Sequence, residues 1–552
     1  MRTTTAGRIH CIFVICLTVA GTGFSQESRH PYRPGFDVLH YDFSLTIPDT
    51  GSYIRGTARI AVKRFAPEPV LRLDLIDLLV TGVRVDDHTV ALHRDSTSVS
   101  VALAGHAVPD TFVIDVQYEG FVRDGLIMRK TGSRWTAFGD NWPDRARFWL
   151  PAIDHPSDKA TVTWNIDAPA GRTVIANGAL IESSPVGDQS LNLRRKTVWR
   201  SHRPIPTYLM VIAVAPLVST SLGIRARGLS EFGGGVQQTV YTAPEDREYM
   251  PGPFDRAGDI VEFFCRTIGP FPYEKLDHVQ SSTKYGGMEN ASIIFYNDEG
   301  FRRRQINTSL IAHETAHQWF GDAVTPLDWP HLWLSEGFAT YWTELWRRHD
   351  EGDSAFRGSM ANMRAEIIRS QTTARRPIID TAETNLMALL NSNSYQKGAW
   401  VLHMLRATIG DTAFYKGMRQ YYEQYRHQSA LSSDFRRSME ASSGTELAWF
   451  FDQWLRRPGY IRTSLQWEYR ENLRAILLTI KQDASAPPYR FLLRLAITEE
   501  NSKPVTTAIE IPAMAETVVR IPWNGGRPSD LTFDPLTELL WTVTEVRNQS
   551  RD

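Results

Sequence analysis

Two histidines four residues apart, His313 and His317, and a carboxylate with eighteen residues after the second of them, Glu336, carry the plainest chemistry in this sequence. Residues four apart lie on one helix face, so both imidazoles can reach a single ion. Glu314 projects in a neighbouring direction and can handle a proton beside that ion without ligating it. Leu310, Ile311, Trp319 and Phe320 can bury the rest of such a helix. Taken alone, His313 to His317 (HETAH) also reads as two surface histidines on an amphipathic helix. Glu336, in LWLSEGFA, adds what the pair lacks. A catalytic zinc takes three protein ligands and keeps one position open, and two histidines plus a carboxylate from a second helix supply them. Ser335 is the expected N-cap, which puts Glu336 in the first turn of that helix. By itself Glu336 also reads as a carboxylate capping the helix dipole. The His-Glu-x-x-His order is one that zinc proteases use.

These residues fall in a stretch that reads as mostly helical. Helical spacing runs over 254–268, 309–320, 335–349, 354–370, 394–409 and 412–425. Before it, 41–47, 57–62 and 111–118 alternate apolar and polar residues as half-buried strands do. After it, 475–480, 489–498, 506–511 and 517–521 return to strand patterning and suggest a small β-sandwich. The expected division is 1–25 as a targeting segment, 26–225 as a β domain, 226–463 as the domain with the histidines, and 464–552 as the sandwich.

Composition narrows the partners. The chain has 552 residues, 61 basic and 62 acidic, for a formal net charge of -1. This argues against a nucleic-acid partner or an anionic membrane surface, both of which ask for a concentrated basic face. Arg2 and Arg8 precede an apolar run from Cys11 to Ala20, too short to span a bilayer and suited to a signal peptide. Cleavage is expected before Gln26, after the small residues Gly23 and Ser25, with export to the periplasm or the outside and no stable membrane insertion afterwards; an uncleaved anchor is the other reading. Of three cysteines, only Cys265 lies beyond that segment. No intramolecular disulfide can then form, a cysteine metal cluster is excluded, and Cys265 in IVEFFC is an expected core residue.

The sequence resembles the gluzincin aminopeptidases, the group that includes aminopeptidase N and leukotriene hydrolase. The resemblance rests on 311–325 (IAHETAHQWFGDAVT), 332–341 (LWLSEGFATY), 285–290 (YGGMEN), 394–405 (SYQKGAWVLHML) and 451–459 (FDQWLRRPG), with 147–159 and 206–209 in the β region. It implies a multidomain α+β fold: a saddle-like N-terminal β-sheet domain, a thermolysin-like, mostly helical catalytic domain and a small C-terminal β-sandwich. It implies one Zn2+ held by His313, His317 and Glu336, with Glu314 as general base and then general acid. Tyr395 would donate its hydroxyl to the oxyanion; nothing else in the sequence selects it among nineteen tyrosines. Gly286, Gly287, Met288, Glu289 and Asn290 would bind substrate. Glu289 would hold the free amine of a peptide and end the site, so that only the first residue is released. The glycines let backbone approach substrate closely, and a strand expected at 291–296 would let an extended peptide add as a further strand. YGGMEN alone reads equally as a Gly-Gly turn with an exposed glutamate.

Some positions depart from the family pattern. Asp140 and Trp142 stand where many relatives have Gln and Glu, so Asp140 is the expected second carboxylate for the amine. Asp322 replaces a common Asn and could orient a metal-binding histidine. Thr343 replaces a common Glu, with Glu344 next to it. Larger relatives continue into a helical domain over the active site, so an open cleft, or one closed by a partner, is expected here. The implied activity is removal of single residues from peptides with a free amino terminus. The alternatives are another zinc hydrolase on this scaffold, an endopeptidase or epoxide hydrolase, and a non-enzymatic peptide-binding protein; oligomeric state is not legible.

Overall fold

Strand alternation builds the first region. In Phe36–Thr46, Val38, Tyr41, Phe43 and Leu45 are buried, and a bulge between Val38 and His40 shifts the alternation by one. The computed structural model describes residues 32–103, 110–131, 134–187, 193–249 and 251–549. The expected targeting segment and its cleavage point lie outside them. The Phe36–Thr46 strand sits inside an eight-stranded sheet, paired antiparallel with Tyr53–Arg64 and parallel with Lys159–Pro169. A four-stranded sheet and a three-stranded one complete the region.

The middle region joins a five-stranded sheet to helices. The sheet runs Val218–Arg225, Val236–Thr242, Leu276–Ser281, Ile293–Asn297 and Gly287–Met288. Its first strand is therefore hydrogen-bonded to the middle sheet, although its sequence pattern continues that of the N-terminal strands. Its last strand, only two residues long, pairs antiparallel with Ile293–Asn297 and forms an edge. Behind the sheet stand Ala257–Thr267, Thr308–His317, Trp333–Glu351 and Gly398–Ile409. Ser432–Ser443 and Ala448–Leu455, helices that the sequence spacing does not announce, close the region. Cys265 is a free, buried cysteine, and burial pushes its thiol up to about 12.

Past Ile461 the chain is mostly strand, in sheets of four and three strands. Leu478, Ile480, Leu493 and Leu495 are buried at alternate positions of their strands. Two strands not expected from the sequence, Pro528–Phe533 and Trp541–Asn548, complete these sheets. Among the described residues, no helix is long and apolar enough to cross a membrane.

Candidate active site

Asn307 starts the helix that carries the histidines: its side chain accepts from the Leu310 amide at 3.0 Å. His317 is buried, and its Nδ1 lies 3.1 Å from the Phe320 carbonyl and 3.0 Å from Ser335 Oγ. A carbonyl only accepts, so Nδ1 carries a proton and Nε2 is the nitrogen left to face the other side chains of the site. Gly321 makes this approach possible. Its φ is +121°, and a Cβ there would meet Ser335 Oγ at 2.5 Å and His317 Nδ1 at 3.1 Å.

Glu336 comes from the next helix, Trp333–Glu351. Ser335 is not its N-cap. A 3-10 turn at Trp329–His331, capped by Asp328, runs straight on into the helix, so Leu332 flanks it and the Ser335 hydroxyl is free to meet His317. Glu336 Oε2 stands 3.3 Å from Nε2 of each histidine, and the two Nε2 atoms are 3.2 Å apart. Donors held about 2.0–2.2 Å from a tetrahedral zinc lie about 3.3–3.6 Å from one another. Glu336 Oε2 is buried and has no hydrogen-bond partner, which is what a metal ligand looks like before the metal is counted. The donor set of two imidazoles and one carboxylate fits zinc.

Tyr395 reaches the same place because two helices touch through glycine. A Cβ on Gly337 would fall 2.9 Å from Gly398 Cα, and one on Gly398 would fall 3.0 Å from Gly337 Cα. This contact brings a single π-turn, Asn393–Lys397, against Glu336. Such turns recur at functional sites because they re-aim a side chain. The Tyr395 ring stacks on His313 with centroids 6.1 Å apart and planes 13° apart. Burial, followed by the Glu336 carboxylate beside it, holds the phenol protonated well above its usual range.

Glu289 approaches from the sheet edge. The donor atoms of Glu289, Glu314 and His317 lie within 4.8 Å of one another. Glu289 is buried, and no lysine or arginine among the described residues pairs with it. Gly287 lies so close to Glu314 that a Cβ would sit 2.3 Å from its Oε1, so only glycine fits there. Gly286, Gly287, Met288, Glu289, Glu314, Tyr395 and the three metal-site residues line one cavity of about 300 Å³. Asn290 does not line it; it is buried beneath the strand, and its side chain turns back to the Met288 carbonyl at 3.5 Å.

Comparison with known proteins assigns this arrangement. Residues 254–454 match the peptidase family M1 domain, and residues 38–209 match the peptidase M1 N-terminal domain; together they cover more than half of the chain. The chain belongs to peptidase family M1. It is 25% identical over 505 residues to human glutamyl aminopeptidase, covering 84% of this chain and 51% of that one. It is 26% identical to aminopeptidase N of Lactobacillus helveticus, covering 77% of this chain and 51% of the relative. The chain thus spans about half the length of the curated relatives it matches. An M1 zinc metallopeptidase from Deinococcus radiodurans shares the fold, with a TM-score of 0.67 and 24% identity over 77% of this chain and 95% of that one. A mutant of that protein bound to a Tyr-Ser-Ala substrate gives a TM-score of 0.68 at 23% identity.

In this M1 chain Asp140 does not stand where the amine carboxylate was expected. It is fully buried behind the cavity. One oxygen accepts from Arg145 Nη2 at 2.8 Å and the other from the Lys284 amide at 3.1 Å. Both oxygens already accept a hydrogen bond, and Asp140 is not among the residues that line the cavity. Trp142, two residues on, does line the cavity. Asp322 does not orient a metal-site histidine either, because the Phe320 carbonyl and Ser335 already take His317 Nδ1. Thr343 bonds within its own helix, to the Ala339 carbonyl, and Glu344 pairs with Arg347.

What Asp322 does touch is Gln318, a residue that sequence pattern did not single out. Gln318 Nε2 donates to the Glu289 carbonyl at 2.7 Å and to Asp322 Oδ2 at 2.9 Å. Its Oε1 accepts from the Ser292 amide at 2.8 Å. One side chain therefore ties the metal-site helix to the strand edge that carries Glu289. The only hint in the sequence is a polar residue between His317 and the buried Trp319. Gln318→Leu keeps the size and removes every bond. Each buried group left without a partner costs about 1–3 kcal/mol, so the denaturation midpoint in urea should fall clearly while metal uptake persists. An unchanged midpoint would show that these bonds contribute nothing net.

The N-terminal region holds the turn after the Thr308–His317 helix from the other side. Tyr208 donates its hydroxyl to the Gly321 carbonyl at 3.0 Å. Lys159 Nζ donates at 2.9 Å to the carbonyls of Asp322 and Ala323 and to Thr325 Oγ1. Burial governs the electrostatics of the pocket. It lifts the carboxyls of Glu289 and Glu314 above their usual range. It also pushes the His317 imidazole down, but the carboxylates of Glu289 and Glu336 outweigh it and raise that imidazole to about 10. Glu336 is held well below the usual range: its burial is more than offset by His317 and His313.

Proposed function

We propose that this chain is a zinc-dependent aminopeptidase that hydrolyses the first peptide bond of peptides with a free amino terminus. The observation that carries this reading is the buried carboxylate of Glu289, paired with no lysine or arginine among the described residues and set within 4.8 Å of donor atoms of Glu314 and His317 at the end of an edge strand. An edge strand offers unpaired backbone groups to an extended peptide. Glu289 then gives that peptide an anionic stop, which suits an ammonium and leaves no room for residues before it.

The residues divide the work. His313, His317 and Glu336 would hold zinc, one per chain, which when bound supplies Lewis acidity toward the scissile carbonyl. Glu289 binds the substrate ammonium and fixes which bond is presented. Glu314, against the backbone of Gly287, takes a proton from the attacking water and delivers it to the departing amine. Tyr395 donates its hydroxyl to the carbonyl oxygen as negative charge gathers there.

Hydrolysis of paired free-amine and N-acetylated amino-acid amides, with and without a chelator, tests this reading. The free-amine substrates should be cleaved, the acetylated ones poorly, and chelation should abolish both. An endopeptidase would cleave blocked and free substrates alike, and a binding protein neither. Glu289→Ala should lower kcat/KM for free-amine substrates by about ten- to a hundredfold, since a charge-assisted contact is worth about 1.5–3 kcal/mol. Metal content should be kept and the preference for free over blocked substrate should shrink. A variant with an unchanged preference would place amine recognition elsewhere.

A further inference from the structure

Building on the aminopeptidase reading, we infer that the first side chain of the substrate is aromatic or long and aliphatic, and that Trp142 and Tyr285 select it against an acidic one. An ammonium on Glu289 and a scissile carbonyl near His313, His317 and Glu336 leave the intervening side chain only the rest of the cavity. That remainder is apolar: Trp142, Tyr285, Met288, Leu310 and Leu390.

This wall is built to keep its shape. Trp142 meets Tyr285 edge to face, with centroids 6.0 Å apart and planes 85° apart. Behind it Trp329 packs on Trp142 at 5.6 Å and on Tyr208 at 5.5 Å. The Tyr285 hydroxyl is turned away from the cavity floor, toward the Trp142 carbonyl at 3.4 Å and Met387 Sδ at 3.6 Å. Rings held edge to face take a further aromatic ring or a flexible aliphatic chain with favourable geometry.

Nothing in the cavity would receive a carboxylate side chain. Its only basic lining groups among the described residues are His313 and His317, whose Nε2 atoms converge with Glu336 Oε2. Glu289, Glu314 and Glu336 line it as well. Two cations stand behind the aromatic wall, and both are engaged. Arg145 bonds Asp140 at 2.8 Å, Asp124 at 2.9 Å and the Trp142 carbonyl at 2.7 Å. Lys284 Nζ bonds Asp124 at 3.1 Å. An acidic first residue would therefore lose its water, meet like charge and gain no partner.

The test is a comparison of Phe, Leu, Met, Ala, Asp and Glu amides on the zinc-loaded full chain, with the parent and with Tyr285→Ala. The Phe, Leu and Met amides should exceed the Asp and Glu amides by about a hundredfold or more in kcat/KM. In Tyr285→Ala, which removes a partly exposed ring, the ratio of Phe to Ala amide should fall about tenfold or more, the scale of a lost apolar contact. Glu or Asp amides cleaved as well as Phe amide would overturn the inference while leaving the aminopeptidase reading intact. So would a Phe-to-Ala ratio that Tyr285→Ala leaves unmoved. Failure to cleave any of the six amides would overturn the aminopeptidase reading itself, and this inference with it.

Discussion

Glu314→Gln should keep a full complement of zinc and lose about a hundred- to ten-thousandfold in kcat, the range that a positioned general acid-base contributes. Both halves follow from geometry. The substitution leaves His313, His317 and Glu336 in place, with their 3.2–3.3 Å spacing. It also leaves the helix intact, since glutamine and glutamate have the same shape and similar helix propensity. The carboxamide still fits against Gly287, where a Cβ on the glycine would lie 2.3 Å from the acid's oxygen. What it cannot do is take up a proton. KM should therefore change little compared with kcat. Metal analysis by atomic absorption alongside steady-state kinetics measures the two quantities on the same sample. Turnover within tenfold of the parent would remove Glu314 from proton transfer. Loss of zinc together with activity would instead mean that the residue belongs to the metal's own support.

The metal site was legible because its information is local. A four-residue spacing puts both histidines on one helix face, and the need of a zinc for a third ligand points to the carboxylate at the start of the next helix, which packing of the two helices then brings to them. Glu289 and Tyr395 were reachable only through the resemblance. Their approach depends on tertiary packing: the two-residue edge strand Gly287–Met288 for one, and the backbone contact of Gly337 with Gly398 for the other. Asp140 shows where spacing misleads. Only Asn141 separates it from Trp142, but the strand Arg134–Gly139 has ended and the chain turns here, so strand alternation no longer places the two side chains together; one is buried against Arg145 and the other faces the cavity. Ser335 was read as a cap because serine favours that position, but the turn capped by Asp328 starts the helix earlier and frees the hydroxyl for His317. Gln318 carries three long-range or cross-turn bonds. None of them has a sequence period that could have announced it.

Tyr395→Phe should lower kcat by about a hundredfold or more, the usual loss for one oxyanion donor, while KM moves little and zinc content stays whole. The ring can remain where it is, because its position is set by stacking on His313 and by the π-turn at Asn393–Lys397, neither of which needs the hydroxyl. The phenol is kept protonated by burial and by the neighbouring Glu336 carboxylate, so it acts as a donor throughout the ordinary pH range. A donor aimed at charge that appears only during reaction stabilises the transition state more than bound substrate. That is why the loss should fall on kcat. The same logic predicts weaker binding of a transition-state mimic bearing an oxyanion, by a factor similar to the loss in kcat/KM, with little change for a product amino acid. Parallel inhibition constants for the two ligands make the comparison. If the mimic binds the variant as tightly as the parent, or if KM rather than kcat carries the loss, Tyr395 helps seat the substrate and the oxyanion has another donor.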